Sequence, residues 1–358
     1  MKILVVRFKQ IGDSILAAPI CNTLKKTFPD SQIDYVVYEH IAPLFEKSKY
    51  IDNVISITNE ERKNIFKYIK KVWKVTRNNY DIVIDIMSTP KSELFTLFSR
   101  GSKYRIGRKK KHRGYTYTHK IEEPKVSKNK IDKFLQMLKP LEEEYKINYT
   151  EDFSISLEPE EKQMMRQRMI DAGIDFSRPV FAFAINARVP GKVFDIDKML
   201  QIIKNILKDL NPQIIFYYSP AEKEFAKKAH ERLGWDKNIF SNIETKTIRE
   251  LAMLLANCDM FFGNEGGPRH IAHAVGIPTF VIVRPGFDIK EWLIAGDKHG
   301  YVASTAANPD ANTLSFEEQN KLLTPELITK KLEEFYWEKV AKNRVTKIWG
   351  RNIEKGII

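Results

Sequence analysis

The feature that most constrains this chain is an alternation that runs twice. Short unbroken apolar segments are separated by longer stretches with helical spacing. The first series predicts strands over ILVVRF (3–8), QIDYVVY (32–38), NVISI (53–57), DIVIDIM (81–87) and YRIG (104–107), with helices at about 13–28, 41–48, 60–78 and 91–100. After a predicted helix at 159–172 the pattern restarts with PVFAFAIN (179–186), QIIFYY (213–218), IFSNI (239–243), CDMFF (258–262), TFVIV (279–283) and YVAS (301–304). Helices are expected between them from Asp197, from about Ala221, near 246–256 and across Ile271–Val275. Strands buried on both faces read as continuous apolar runs, so the pattern implies parallel sheets covered by helices. A length of 358 residues accommodates two such domains, 1–176 and 177–358, with the seam near Ser177-Arg178-Pro179. The expected class is α/β: two Rossmann-like, doubly wound domains whose strand carboxyl ends face a cleft, where ligands of such folds bind.

Composition narrows the function. No apolar run approaches the ~20 residues of a membrane span, and the opening MKILVVRF is too short for a secretory apolar region, so it reads as the first strand. Cys21 and Cys258, the only cysteines, both lie in apolar runs; they predict two buried thiols and a cytoplasmic protein. No solenoid-period repeat is present. The net charge of +13 is concentrated: from Lys103 to Lys133, twelve Lys or Arg face three acids, around the block RKKKHRGY. Such a block predicts an anionic partner (nucleic acid, an anionic membrane, or an acidic or phosphorylated glycan) or else a solvated charge run. From Trp337 the tail puts Val340, Ala341, Val345, Ile348 and Trp349 on one face, interleaved with Lys339, Lys342, Arg344 and Lys347. Two readings fit that face: a helix lying on a membrane, or one packing on the protein itself, the N-terminal domain included.

Four stretches carry candidate chemistry. In RFKQIGDSILAAP, Asp13 opens the first helix, where it serves either as an N-cap or as a general base facing the cleft. In ARVPGKVFDID, Arg188 and Lys192 follow the first strand of the second series and suit a diphosphate, or are surface cations. Asp195 and Asp197 form a D-x-D, but Asp197 is more simply the cap of the following helix, so no metal is expected. In SPAEKEFAKKA, Glu222 or Glu224 is either a ribose-binding acid or a first-turn acid complementing the helix dipole. In GNEGGPRHIAHAVGIP, Pro268 stands where a first helical residue belongs, and Gly266 and Gly267 allow close approach to the helix end. The unpaired N–H groups of such an end form an anion site, with Glu265 beside it and His270 on the first turn as a phosphate donor. His273 reads as structural, because no third ligand accompanies the histidine pair. Dinucleotide-fold glycine, P-loop and nucleophile-elbow motifs are absent, which argues against dehydrogenase, kinase and hydrolase chemistry.

These residues together resemble a known family. ILVVRFKQIGDSILAAPICNTLKKTFPDSQIDYVV is similar to the opening of the ADP-heptose:lipopolysaccharide heptosyltransferases, glycosyltransferase family nine. YDIVIDIMSTPKSELFTLFSRGSKYRIG resembles the family's second landmark, and GNEGGPRHIAHAVGIPTFVIVRPG its donor signature, commonly G-N-D-[TSG]-G-P-x-H. The resemblance implies a GT-B fold with acceptor on the N-terminal domain and nucleotide sugar on the C-terminal one. It further implies inverting, metal-independent transfer of heptose from ADP-heptose to an inner-core lipopolysaccharide sugar, with no cofactor. By motif, Asp13 matches the base, Lys192 the donor-phosphate lysine, Glu265, Gly266, Gly267 and His270 the diphosphate loop, and Glu222 the nucleoside acid. The cations Lys9, Arg105, Arg108, Lys109, Lys110, Lys111 and Arg113 are then expected to meet the anionic lipopolysaccharide core. A peripheral position on the cytoplasmic face of the inner membrane follows, with no nucleic acid as partner. Three positions depart from the pattern: Glu265 for Asp, Gly266 for a hydroxyl residue, and Phe194 for Trp. Another nucleotide sugar, and less simply a basic nucleic-acid-binding protein, stand as alternatives.

Overall fold

The computed structural model describes residues 1–186, 194–294, 296, 298–342 and 344. Each apolar series folds into one six-stranded, wholly parallel sheet. The first contains β1 (Lys2–Val6), α1 (Ile11–Thr27), β2 (Gln32–Tyr38), β3 (Asn53–Ile57), α2 (Asn59–Lys63), α3 (Ile65–Thr76), β4 (Ile82–Asp85), α4 (Pro90–Phe98), β5 (Tyr104–Arg108), β6 (His119–Ile121) and α5 (Lys130–Leu135). The second contains α6 (Pro159–Asp171), β7 (Val180–Ala184), α7 (Ile196–Leu210), β8 (Gln213–Tyr217), α8 (Lys223–Arg232), β9 (Ile239–Phe240), α9 (Ile248–Ala256), β10 (Met260–Asn264), α10 (Gly267–Ala274), β11 (Thr279–Ile282), α11 (Ile289–Trp292), β12 (His299–Val302), α12 (Phe316–Leu322) and α13 (Pro325–Phe335).

Strand order is β3-β2-β1-β4-β5-β6 in one sheet and β12-β11-β10-β7-β8-β9 in the other. Both are doubly wound, and the order reverses between β1 and β4 and again between β7 and β10. In such sheets the crevice at the reversal point, beyond the strand carboxyl ends, is where ligands bind. Register is fixed by burial on both faces: Ile3, Leu4, Val5 and Val6 are wholly buried and pair with Ile82–Asp85 on one side and Ile33–Val36 on the other. In the second sheet Phe181 and Phe183 pack with Phe262, Ile203 and Ile206 of α7, and Leu332 of α13. Each such aliphatic or aromatic side chain taken from water contributes roughly 1.5–3 kcal/mol.

Several expectations need revision. The chain divides after Ser156, not at 176, because α6 belongs to the second unit: Arg249 grips Glu161 with Nε and Nη2, both at 2.6 Å, and Asn257 Nδ2 donates to the Lys162 carbonyl at 3.0 Å. Lys290–Trp292 groups with the first unit. The helix expected at 60–78 is two helices, since Thr58 and Glu61 close a capping box on α2 and Asn64 then caps α3 through the N–H groups of Phe66 and Lys67. The segment at 41–48 holds only a short 3₁₀ turn, Ala42–Leu44. The start of the tail packs on the second unit rather than the first: Tyr336 and Val340 join the core of the second sheet, and Arg344 reaches Asp259 at 3.2 Å. Residues 345–358 of that tail lie outside the described residues. No helix among the described residues is long and apolar enough to cross a membrane.

Candidate active site

In the first unit the reversal point is occupied by charge. α1 begins at Ile11 with Gln10 as its cap, so Asp13 is the third helical residue and not the N-cap. Its carboxylate is buried and makes an ion pair with Arg7, while Lys9 approaches the same oxygen, Oδ1, at 3.8 Å. Among the described residues no hydrogen bond is directed at Oδ2. Arg7 Nη1 also donates to the Ile86 carbonyl at 3.5 Å, and the guanidinium lies 4.7 Å from the Phe134 ring centroid. The pair therefore spans the ends of β1 and β4. Arg7 stood at the head of the Asp13 motif, but nothing in the spacing marked it as the partner.

A second carboxylate at this point gave no functional signal in sequence, because it closes an apolar strand. Asp85 is wholly buried at the end of β4, and accepts hydrogen bonds from the Met87 and Ser88 N–H groups, Ser92 Oγ at 2.8 Å and Tyr117 Oη at 2.7 Å. Burial pushes its carboxyl up to about 6, against the pull of those donors. Tyr117 in turn lies on Gly107, where an added Cβ would stand 2.3 Å from two ring carbons. The glycine makes a socket for the ring, and the ring fixes the base of the basic segment.

That segment is only partly free to meet an anion. Arg105 is turned inward onto the carbonyls of Thr116, Arg100 and Ser102. Arg108 is buried, donates to the carbonyls of Glu122 and Lys133, and has its guanidinium pulled down by desolvation against Glu123. Both are acceptor-binding candidates by sequence; composition cannot reveal that backbone carbonyls already engage both guanidinium groups. Lys109 pairs with Glu122 at 2.5 Å, and Lys110, Lys111 and Arg113 are exposed around the tight turn they form.

Over β1, β2 and β3, by contrast, the structure forms a cavity of ≈ 330 Å³ that sequence reasoning missed. Phe8, Tyr38 and Tyr68 supply aromatic walls, with Phe8 5.6 Å from Tyr38 and 6.2 Å from Tyr68, and Arg62, Lys63 and Lys91 supply three cations. Arg62 stacks on Tyr38 at 4.1 Å, and Lys91 Nζ donates to the Arg62 carbonyl at 2.9 Å. Aromatic faces beside cations suit an anionic sugar.

In the second unit the reversal point is made of backbone. Gly263 has φ 147°, and a Cβ there would lie 2.5 Å from the Ala184 carbonyl oxygen, so only glycine lets β10 approach β7 this closely. Asn264 bridges the two strands by donating to the Ala184 carbonyl at 3.3 Å and accepting from the Phe194 N–H at 2.9 Å. Gly266 precedes α10 in extended backbone, with no neighbour closer than 3.8 Å to a Cβ, so it is not demanded by the protein's own packing. Gly267 is the first residue of α10 and Pro268 the second, one later than expected.

Glu265 is buried, and Arg269, unmarked in sequence, is buried completely on the next turn. Loss of solvent holds the Arg269 guanidinium down at about 10, partly offset by Glu265. Arg269 Nη2 lies 3.2 Å from His270 Nδ1, and His270 is itself buried. His273 lies against His299 with centroids 3.3 Å apart and the rings tilted by 32°; burial pushes the two down to about 2 and about 3, in keeping with a structural role.

The remaining donor candidates divide. Arg188 and Lys192 lie outside the described residues. Glu222 accepts from Asn186 Nδ2 at 3.0 Å and from the Ser219 N–H at 2.8 Å, closing a capping box before α8. Asp195, not Asp197, caps α7, because its carboxylate reaches the N–H groups of Asp197 and Lys198; Asp197 instead pairs with Arg232.

Two Rossmann-like sheets of this order, each with its polar groups gathered at the reversal point, define the GT-B class. The structure of the E. coli ADP-heptose lipopolysaccharide heptosyltransferase II matches with a TM-score of 0.75 at 17% identity, over 95% of this chain and 100% of that one. Lipopolysaccharide heptosyltransferase 1 of Campylobacter coli is 22% identical over 79% of this chain and 83% of its own. Lipopolysaccharide heptosyltransferase 3 of Escherichia coli strain K12 is 25% identical over 75% and 78%. The model of glycosyltransferase family 9 (heptosyltransferase) matches residues 69–285, and this chain belongs to that family. It is therefore a glycosyltransferase.

Proposed function

We propose that the protein transfers heptose from ADP-heptose to an inner-core lipopolysaccharide or lipooligosaccharide sugar, with inversion and without a metal. The observation that carries the donor half is the start of α10 at the β7/β10 reversal point, where Gly266 leaves open space above backbone N–H groups. Likeness to the matched lipopolysaccharide heptosyltransferases supports heptose as the sugar and lipopolysaccharide as the acceptor class.

The acceptor hydroxyl oxygen forms a bond to the anomeric carbon while the bond from that carbon to the diphosphate oxygen breaks. Asp13 takes the hydroxyl proton through Oδ2, and Arg7 holds Oδ1 and with it the orientation of the carboxylate. Negative charge develops on the departing diphosphate. The N–H groups opening α10, with Lys192 and His270, stabilise it, as preorganised donors do where charge grows. Glu222 binds the nucleoside, and Glu265 positions the loop. The aromatic and cationic cavity of the first unit takes an acidic core sugar, with Lys9, Lys110, Lys111 and Arg113 reaching further phosphates. A protein with this charge would associate peripherally with the cytoplasmic face of the inner membrane.

Calorimetric titration with ADP, UDP and GDP, with and without EDTA, tests this reading. Selective ADP binding that survives EDTA is expected; preference for UDP or GDP would transfer the site to another nucleotide sugar.

A further inference from the structure

Helix α3 is buried on one side only. Tyr68, Val72, Val75 and Thr76 face the first sheet, while Phe66 is 82% exposed, Trp73 51%, Ile65 47% and Ile69 37%. At about 100° per residue, Ile65, Ile69, Trp73 and Phe66 fall on one arc of about 100°. Arg77, Lys70, Lys74, Lys67 and Lys71 follow directly on the next arc. From Arg62 to Arg77 the chain carries seven cations and no acid. Lys67 pairs with Glu60 and Arg77 lies over the Trp73 ring, but among the described residues no ion pair engages Lys70, Lys71 or Lys74. A water-exposed stripe of Ile, Phe and Trp is unfavourable by itself, and a contiguous one marks a contact surface.

We infer that the outer face of α3 is the surface on which this protein docks to an anionic lipid bilayer. The geometry is that of an interfacial helix: aromatic and aliphatic side chains enter the headgroup boundary, and lysines beside them extend their stems along it to anionic headgroups. Charge selects this occupant. A second copy of the same face would set Lys70, Lys71 and Lys74, which no ion pair engages among the described residues, against their own counterparts, whereas a phosphatidylglycerol surface complements them. The basic segment around Lys110 is a weaker alternative, since Arg105 and Arg108 are turned inward, Lys109 is neutralised by Glu122, and no exposed apolar stripe accompanies Lys110, Lys111 and Arg113. The cavity described above takes Arg62 and Lys63 from α2 and Tyr68 from α3, so docking here would bring it near the lipid surface. This deepens the peripheral-membrane reading and rests on it.

The test is flotation of the full chain with vesicles of phosphatidylcholine alone, or of equal parts phosphatidylcholine and phosphatidylglycerol, at low salt. The wild type is expected to partition onto the anionic vesicles only. Lys70→Glu with Lys74→Glu should lower that partitioning about 10²-fold or more, and Phe66→Ser with Trp73→Ser about tenfold. Both pairs face solvent, so unchanged circular dichroism and ADP affinity serve as the folding control. Tryptophan quenching by brominated lipid should diminish in Trp73→Phe. If all variants bind as the wild type does, the α3 assignment fails while membrane association stands. If the wild type ignores anionic vesicles, both fail. If Phe66→Ser with Trp73→Ser instead turns an oligomer into a monomer, the face belongs to a second copy and the bilayer assignment is overturned.

Discussion

The two units share a sheet order and a reversal point, yet they equip it in opposite ways. The first holds charged side chains there: Arg7 with Asp13, and Asp85 with its four donors. The second omits side chains at Gly263, pressed on Ala184, and at Gly266, left open before α10, and buries its charges, Glu265 and Arg269, beside that gap. A carboxylate kept out of water needs partners that fix it, so the first unit depends on matched charge. Backbone N–H groups offered to a ligand need nothing in the way, so the second depends on missing volume. The fold supplies the place, and the residues ending the strands supply the chemistry.

That contrast can be broken experimentally. The largest effect is expected at Asp13: Asp13→Ala should lower turnover about 10²–10⁴-fold with near-native ADP affinity, measured as ADP release in a transfer assay. A mere loss of melting temperature would leave the carboxylate a structural ion-pair partner. Arg7→Met strands a buried carboxylate and should destabilise by about 3 kcal/mol, read from denaturant unfolding. Gly263→Ala tests the other unit by volume: with Ala184 backbone in the way and φ at 147°, a loss of about 2 kcal/mol or more is expected. Gly266→Ala, only three residues on, should change stability by less than about 0.5 kcal/mol, so that any effect appears in the nucleotide Kd.

The smallest effect concerns pH, where the units should respond with opposite sign. Asp85 has its folded value raised to about 6, above that of an unfolded aspartate, so the native state binds the extra proton. Its contribution therefore declines as pH rises from about 4 to about 6. His273 and His299 are depressed to about 2 and about 3, so the unfolded chain binds the extra protons, and their contribution is lost as pH falls from about 6.5 toward 3. Hydrogen exchange resolved by peptide, corrected for intrinsic rates, should show protection around β4 and α10 moving in opposite directions between pH 6 and 4. A parallel response would sink the distinction.

Most of the fold was legible because strands covered on both faces must be apolar throughout, and eleven of the twelve were named at least in part. The exception, β6, reads HKI and carries no such run. Helix ends were less legible: Thr58 with Glu61, and then Asn64, are capping signals that break 60–78, but the apolar spacing runs through them. At the site, residues whose placement comes from local backbone could be read to within one position, as with the glycines and proline opening α10. Residues whose role comes from a distant partner could not. Arg7, Asp85 and Arg269 sit inside or beside apolar runs, and their partners are set by topology. Arg105 and Arg108 show the same limit from the other side, since a basic composition says nothing about which guanidinium groups already hold internal partners.

The ring of Tyr117 seated on Gly107 has a consequence for how this fold can change. Together with Arg108 it clamps both ends of the stretch 109–116, so that stretch behaves as an insert in a fixed mount. Lengthening or recharging such an insert perturbs little beyond loop closure, about 0.6 kcal/mol for each doubling of length. Recognition can therefore diversify at this tip while the sheet beneath it, and the buried carboxylate that anchors the clamp, stay as they are.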